Sequence, residues 1–176
     1  MNNFPNVNNI GQKIGMFSYA KQLIQSENYS FHQVEKLLLN AAKADVFDSE
    51  LELANFYKKH KMFKEALYWY EKILFIGDHN LLFEIASWYE EGIGTEVNYD
   101  KAAELYIRIA HSNNEALRRL LLLHKDNKTS YLGTIPQRNN LQYWQNLLVR
   151  KVKEGYWNIN RTKERLLNYG NCLRIK

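Results

Sequence analysis

The sequence has few of the residues that interrupt or cross-link a chain: its 176 residues include 2 prolines, 8 glycines and 1 cysteine. Proline and glycine are the strongest helix breakers, so their scarcity favours long helices over a turn-rich β fold. The lone Cys172 excludes an internal disulfide. We therefore expect a reducing compartment, the cytoplasm.

Long apolar segments are also missing. No apolar run is long enough to cross a bilayer. The opening residues, MNNFPNVNNIGQK, lack the basic and apolar regions of a secretory signal. We therefore expect neither membrane attachment nor secretion.

The bulk composition is that of an ordinary globular domain, with 45% hydrophobic and 24% charged residues. The charge is distributed unevenly. Residues 1–137 carry 15 Lys and Arg against 17 Asp and Glu, whereas residues 138–176 carry 9 against 2. The net charge of +5 therefore comes from the C-terminal stretch, which indicates a surface that meets an acidic partner.

Apolar residues recur at intervals of three and four along most of the chain, which predicts amphipathic helices. Polar residues suited to N-caps precede several of them: Ser30, Asp100, and either Asn113 or Asn114. The predicted helices cover about 14–26, 31–43, 49–60, 64–77, 81–92, 101–112 and 114–126, with two more after residue 139.

Two of these helices recur as a pair. Ala54 and Tyr57 are matched by Ala86 and Tyr89, each 32 positions later, and Ala66 and Tyr70 by Ala102 and Tyr106, each 36 later. Such a period is typical of α-solenoids built from stacked helix pairs. The small residues then lie where helices cross closely, and Gly92 ends a helix in a left-handed conformation.

The segment GDHNLLFEIASWYEEGIGTEVNYDKAAELYIRIAHSNNEA resembles a Sel1-like repeat, a relative of the tetratricopeptide repeat. The family's pattern is matched in register by Gly77, Leu81, Ile85, Ala86, Tyr89, Gly92, Gly94, Lys101, Ala102, Tyr106 and Ala110. The departures are Thr95 for the usual Val, Ala86 for Gly, Leu105 for Trp and Ile109 for Ala. Residues 45–76 match more loosely and lack the Gly-x-Gly loop.

The resemblance implies an all-α fold, an α-solenoid of antiparallel helix pairs with a C-terminal helical cap. The predicted organisation is a flexible N-terminus over 1–13, repeats over 14–126, a linker over 127–136 and a basic helical cap over 137–176.

The resemblance also implies binding of a protein along the concave face. The positions that would line this face are Leu51, Asn55 and Lys58 in one helix, Phe83, Ser87 and Glu90 in the next, and Arg118, Leu122 and Lys125 in a third. The apolar members would form a docking stripe. The alternative is that they pack beneath neighbouring elements, as apolar residues at helical spacing usually do.

No motif in the sequence indicates catalysis, a metal or a cofactor. None of the five histidines pairs with another His, Cys or acid at a metal-ligand spacing. Gly92-Ile-Gly94 follows a predicted helix rather than a strand and lacks the Gly-Lys-Ser/Thr of a phosphate loop. The acids near it are typical solvated loop residues.

The main functional signal is the basic stretch near the C-terminus, with Arg150, Lys153, Arg161, Lys163 and Arg165 interleaved with aromatics. It fits the acidic patch of one protein partner. It also fits a nucleic-acid backbone with stacked bases, or a merely solvated surface. The resemblance to Sel1-like repeats implies a non-catalytic binding module, most sharply an immunity protein that covers the active surface of a bacterial toxin. A cytoplasmic adaptor and a nucleic-acid-binding repeat are the alternatives.

Overall fold

A computed structural model of the chain describes residues 10–46, 48–131 and 141–154. Regular structure within these ranges is helical throughout, with no strand. The helices are α1 (Ile10–Ser26), α2 (Phe31–Ala42), α3 (Ser49–Lys59), α4 (Phe63–Lys72), α5 (His79–Glu91), α6 (Tyr99–Ile109), α7 (Asn114–Lys125) and α8 (Leu141–Lys153).

The prediction of an all-helical fold is confirmed, and neighbouring helices along the chain pack on each other. The solenoid arrangement stays a prediction. The chain divides into two compact units, and α5 contributes to both of them.

The first unit extends to Leu81 and includes Glu91–Val97. Within it α1 packs on α2, α2 on α3, and α3 on α4. The repeat-related small residues Ala54 and Ala66 are fully buried, as the close-crossing prediction requires. Large side chains of the same unit are also buried, among them Val34, Leu38, Leu53, Phe56 and Tyr70.

The second unit contains Leu82–Glu90 of α5 and the described residues from Asn98 onward. Here α6 packs on α7, and α7 packs on α8. Ala86 and Ala102 are fully buried, together with Ile85, Tyr106, Leu117, Leu120 and Trp144. Burial of such side chains is the main stabilising contribution to a helical packing of this kind.

The loop after α5 has the backbone that its glycines predict. Gly92 has φ +74° and Gly94 has φ +72°, a left-handed conformation that other residues disfavour. Gly94 also lies against the start of α4: a Cβ there would be 2.5 Å from the Phe63 carbonyl oxygen. Glycine is therefore required at this position by both conformation and space.

Several predicted helix ends differ from the structure. Helix α1 begins at Ile10 rather than at 14, inside the predicted flexible N-terminus 1–13, and α6 ends at Ile109 rather than at 112. The N-cap of α6 is Asn98 rather than Asp100, because the Asn98 Oδ1 accepts the Lys101 amide at 3.0 Å. Helix α4 ends at Lys72 instead of continuing to 77, because Ile73 leaves the helical conformation and a 3-10 turn, Leu74–Ile76, follows. The other caps are as predicted in position. Asn113 caps α7, and Ser30 precedes α2 without a side-chain hydrogen bond.

Candidate functional site

The buried tyrosines of the repeat pattern tie successive helices together through their hydroxyl groups. Tyr106 of α6 donates to the Glu90 carboxylate of α5 at 2.8 Å. In the first unit, Tyr70 of α4 donates to Asn55 of α3 at 2.6 Å. Tyr70 and Tyr106 therefore do more than fill space, since each binds a polar side chain of the preceding helix.

Glu90 is the centre of a charged network in the second unit. Its carboxylate also accepts from the Arg119 guanidinium of α7 at 3.0 Å, and its side chain is only 15% exposed. Burial alone would lower the pKa of Arg119, but the facing Glu90 carboxylate outweighs burial and raises it. A pair this deeply placed is held firmly, because breaking it would leave a partly buried charge without its partner.

The network continues along α7 through Glu115. The Glu115 carboxylate accepts from Arg118 Nε at 2.7 Å and from Arg119 Nε at 3.3 Å. The hydrogen bond from Arg118, followed by the charges of both arginines, lowers the pKa of Glu115 despite partial burial. The arginines of α7 are thus already engaged with acids of their own unit.

The predicted partner-binding residues of α5 and α7 come together only in part. Phe83 is half-buried, with its ring centroid 5.6 Å from that of Tyr106, while the Ser87 hydroxyl donates to the Glu84 carbonyl at 2.7 Å. On α7, Leu122 is half-buried and Lys125 is exposed. Phe83, Glu90 and Arg118 therefore lie along one network, whereas Ser87 is occupied within its own helix.

The predicted positions on α3 belong to the first unit. Asn55 is exposed and accepts the Tyr70 hydroxyl, and Leu51 and Lys58 are half-buried. The apolar residues of the predicted stripe, Leu51 here and Phe83 and Leu122 in the second unit, are each half-buried rather than fully exposed. Their role in docking stays a prediction.

The start of the predicted linker 127–136 packs on the second unit. The Thr129 hydroxyl donates to the Asp100 carboxylate and accepts the Tyr131 amide at 3.0 Å, and Thr129 is 8% exposed. His124 Nε2 hydrogen-bonds to the Tyr131 carbonyl at 2.9 Å. Burial lowers the pKa of His124, although hydrogen bonds to the backbone of Tyr131 and Thr129 act in the opposite direction. Residues 127–131 therefore leave the helix but are hydrogen-bonded back to α6 and α7.

The basic residues predicted to bind a partner are described only on α8. Arg150 is exposed, and its Nε lies 4.0 Å from a Glu154 carboxylate oxygen. Lys153 is also exposed, in the same last turn. The remaining predicted cations, Arg161, Lys163 and Arg165, lie outside the described residues.

A cleft of about 360 Å³ opens beside these α8 cations, within the second unit. The end of α6, the start of α7 and the last turns of α8 form its walls. Lys151 Nζ donates to Asn114 Oδ1 at 2.8 Å, which holds an ammonium group at the first residue of α7. The lining residues are His111, Ser112, Asn114, Leu147, Arg150, Lys151 and Glu154.

His111, which lines the cleft, packs against two aromatic residues of α8. Tyr143 and His111 share a hydrogen bond between the hydroxyl and Nε2 at 3.1 Å, and the His111 ring centroid lies 5.4 Å from that of the fully buried Trp144. The sequence predicted His111 as a helix-end residue and Asn114 as a possible cap. Their part in a cleft was missed because the residues that form it are separated by more than 30 positions in the chain.

No protein-family model, curated protein or solved structure matches the chain. Among the described residues, no helix combines the length and apolar character that a bilayer crossing requires. The same part of the chain holds no group of three or more His, Cys, Asp or Glu side chains arranged to bind a metal ion.

Proposed function

We propose that the chain is a non-catalytic module that binds one partner protein through an acidic surface of that partner. The main support is the last turn of α8, where Arg150 and Lys153 are both exposed. The Arg150 side chain is 64% exposed. By contrast, Arg118 and Arg119 of α7 are bound to Glu115 and Glu90. The exposed cations of α8 are therefore better placed than Arg118 and Arg119 to meet an external acid.

The sharpest form of the proposal is an immunity protein that neutralises a bacterial toxin by covering its active surface. The support is the resemblance of residues 77–116 to a Sel1-like repeat, together with the absence of any recognised catalytic motif in the sequence. A cytoplasmic adaptor would use the same surface, so the identity of the bound protein decides between the two.

The first experiment is capture of the tagged full chain from its native lysate, with and without nuclease, followed by mass spectrometry. The proposal expects one stoichiometric protein that is retained after nuclease treatment. Ribonucleoproteins that are lost with nuclease would instead support the nucleic-acid alternative, whose affinity should fall steeply with salt.

Charge reversal then locates the contact. Arg150→Glu with Lys153→Glu should slow association and reduce its salt dependence, because exposed charges mainly steer the encounter. Lys36→Glu with Lys43→Glu makes the same charge change at exposed positions of the first unit and should leave the rate nearly unchanged. A third variant, reversed at Arg161, Lys163 and Arg165, tests the rest of the basic stretch. Equal rates for the first two variants would exclude the end of α8 as the contact.

A further inference from the structure

The cleft beside α8 brings positive groups together in an electrostatically unfavourable arrangement. The N-terminus of a helix carries a partial positive charge and favours anions. Yet the Lys151 ammonium is held 2.8 Å from the Asn114 side chain, at the first residue of α7. Arg150 lines the same cleft. Two cations beside a helix N-terminus repel one another unless an anion lies among them.

The acids nearby neutralise this arrangement only in part. Glu115 is the acidic residue in the first turn of α7, and its carboxylate is already engaged by Arg118 and Arg119. Glu154 lines the cleft but contacts Arg150 at 4.0 Å, the limit of an ion pair, with half of its side chain exposed. The two cations thus outnumber the single acid of the cleft.

This balance favours a singly charged ligand over a more highly charged one. The two cations Arg150 and Lys151 and the carboxylate of Glu154 give the cleft a net charge of about +1. A carboxylate would neutralise this charge, whereas a dianionic phosphate would exceed it. The volume of about 360 Å³ admits a side chain rather than an extended polymer.

The sequence that follows α8 is unsuited to supplying that anion. Residues 155–176 carry five Lys and Arg against a single acid, Glu164. A segment with this charge is repelled by a cationic cleft. An external acid is the better match, and the proposed partner with an acidic surface supplies one.

We infer that the cleft between Asn114, Arg150 and Lys151 is a socket for the carboxylate of a single Asp or Glu side chain of the partner. This inference rests on the proposed function. Lys151 and Arg150 would donate charge-assisted hydrogen bonds to the two carboxylate oxygens, next to the N-terminus of α7. Leu147, 4% exposed, provides an apolar wall for the methylene groups of the entering side chain.

The test is calorimetric titration of the full chain with an end-capped hexaglutamate peptide, with inorganic phosphate and with a six-nucleotide RNA. Lys151→Gln removes a cation that lines the cleft, and Lys153→Gln removes the same charge from an exposed residue of the same turn that does not line it. We expect Lys151→Gln to weaken hexaglutamate binding about fivefold or more, and Lys153→Gln less than about twofold. Arg150→Gln should resemble Lys151→Gln, which guards against a folding defect of one variant.

Three outcomes would overturn the inference: equal weakening by Lys151→Gln and Lys153→Gln, tighter binding of phosphate or RNA than of the peptide, or no binding of the peptide. Repeating the comparison with the captured partner separates the two proposals. Partner binding that is insensitive to Lys151→Gln removes the socket and leaves the binding module. Binding of the peptide that depends on Lys151, with no captured partner, keeps a carboxylate site in the cleft and removes its assignment to a partner protein.

Discussion

Gly94 offers the sharpest test of the packing of the first unit. It has φ +72°, and a Cβ added there would lie 2.5 Å from the carbonyl oxygen of Phe63, 2.6 Å from its carbon and 2.9 Å from the Lys64 nitrogen. These are backbone atoms at the start of α4, so no rotation of a side chain can relieve the clash. Gly94→Ala must therefore displace either the loop or the helix.

Gly77 provides a matched control in the same unit. It has nearly the same φ, +74°, but a Cβ there would approach nothing closer than the Phe75 carbonyl oxygen at 3.9 Å. Gly77→Ala thus has the conformational cost alone, about 1 kcal/mol after the gain from a less flexible unfolded chain. Gly94→Ala adds the cost of overpacking, so the free energy of unfolding should fall by about 3 kcal/mol in total.

Urea unfolding followed by far-ultraviolet circular dichroism measures both variants against the parent chain. Since the two glycines lie in one unit, each variant is expected to shift the same transition. The reasoning is refuted if the two variants differ by less than about 0.5 kcal/mol, because the close approach of Gly94 to α4 would then carry no cost.

Three further predictions concern the second unit. Burial lowers the pKa of His124 below its ordinary value of 6.5. As the pH falls, the unfolded chain therefore takes up a proton on His124 before the folded chain does. The free energy of unfolding should therefore fall as the pH drops from about 7 to about 5, and His124→Gln should flatten this dependence in urea titrations. Thr129→Val should lower the free energy of unfolding by about 1–2 kcal/mol and speed proteolysis at residues 127–131. Unchanged cleavage would show that the Thr129 hydrogen bonds do not hold this segment. In a double-mutant cycle, Tyr106→Phe and Arg119→Met should couple by at least about 0.5 kcal/mol because both side chains bind Glu90, and strict additivity would argue against the network.

Helix positions could be predicted from the sequence because they depend on local pattern. Apolar spacing places α2 and α7 within a residue or two of their observed bounds. The helix ends were harder, since neighbouring residues compete for the same role. Asn98 and Asp100 are both good caps. In the structure Asn98 accepts the Lys101 amide, whereas Asp100 accepts the Thr129 hydroxyl from 29 positions away.

The candidate sites depend on long-range register, which periodicity does not determine. The helical pattern identified Glu90 and Arg118 as surface residues of two helices. It did not predict that the Arg119 guanidinium donates a hydrogen bond to the Glu90 carboxylate. Likewise, Arg150 was selected for its charge alone. Lys151 reaches the start of α7 because α8 packs on α7. The sequence does not predict this packing, because the predicted linker 127–136 interrupts the helical pattern between the two helices.

The two groups of cations in the second unit differ in what they can offer a partner. Recruiting Arg119 to an external acid would strip Glu90, only 15% exposed, of its counter-ion, and that loss offsets the new contact. Arg150 and Lys153 face no such cost, because their side chains are already solvated. Lys151 lies between these cases: it gives up little by binding an anion, since the amide of Asn114 is its acceptor and is neutral. The cost of recruiting a cation to an external acid is therefore lower on α8 than on the charged face of α7.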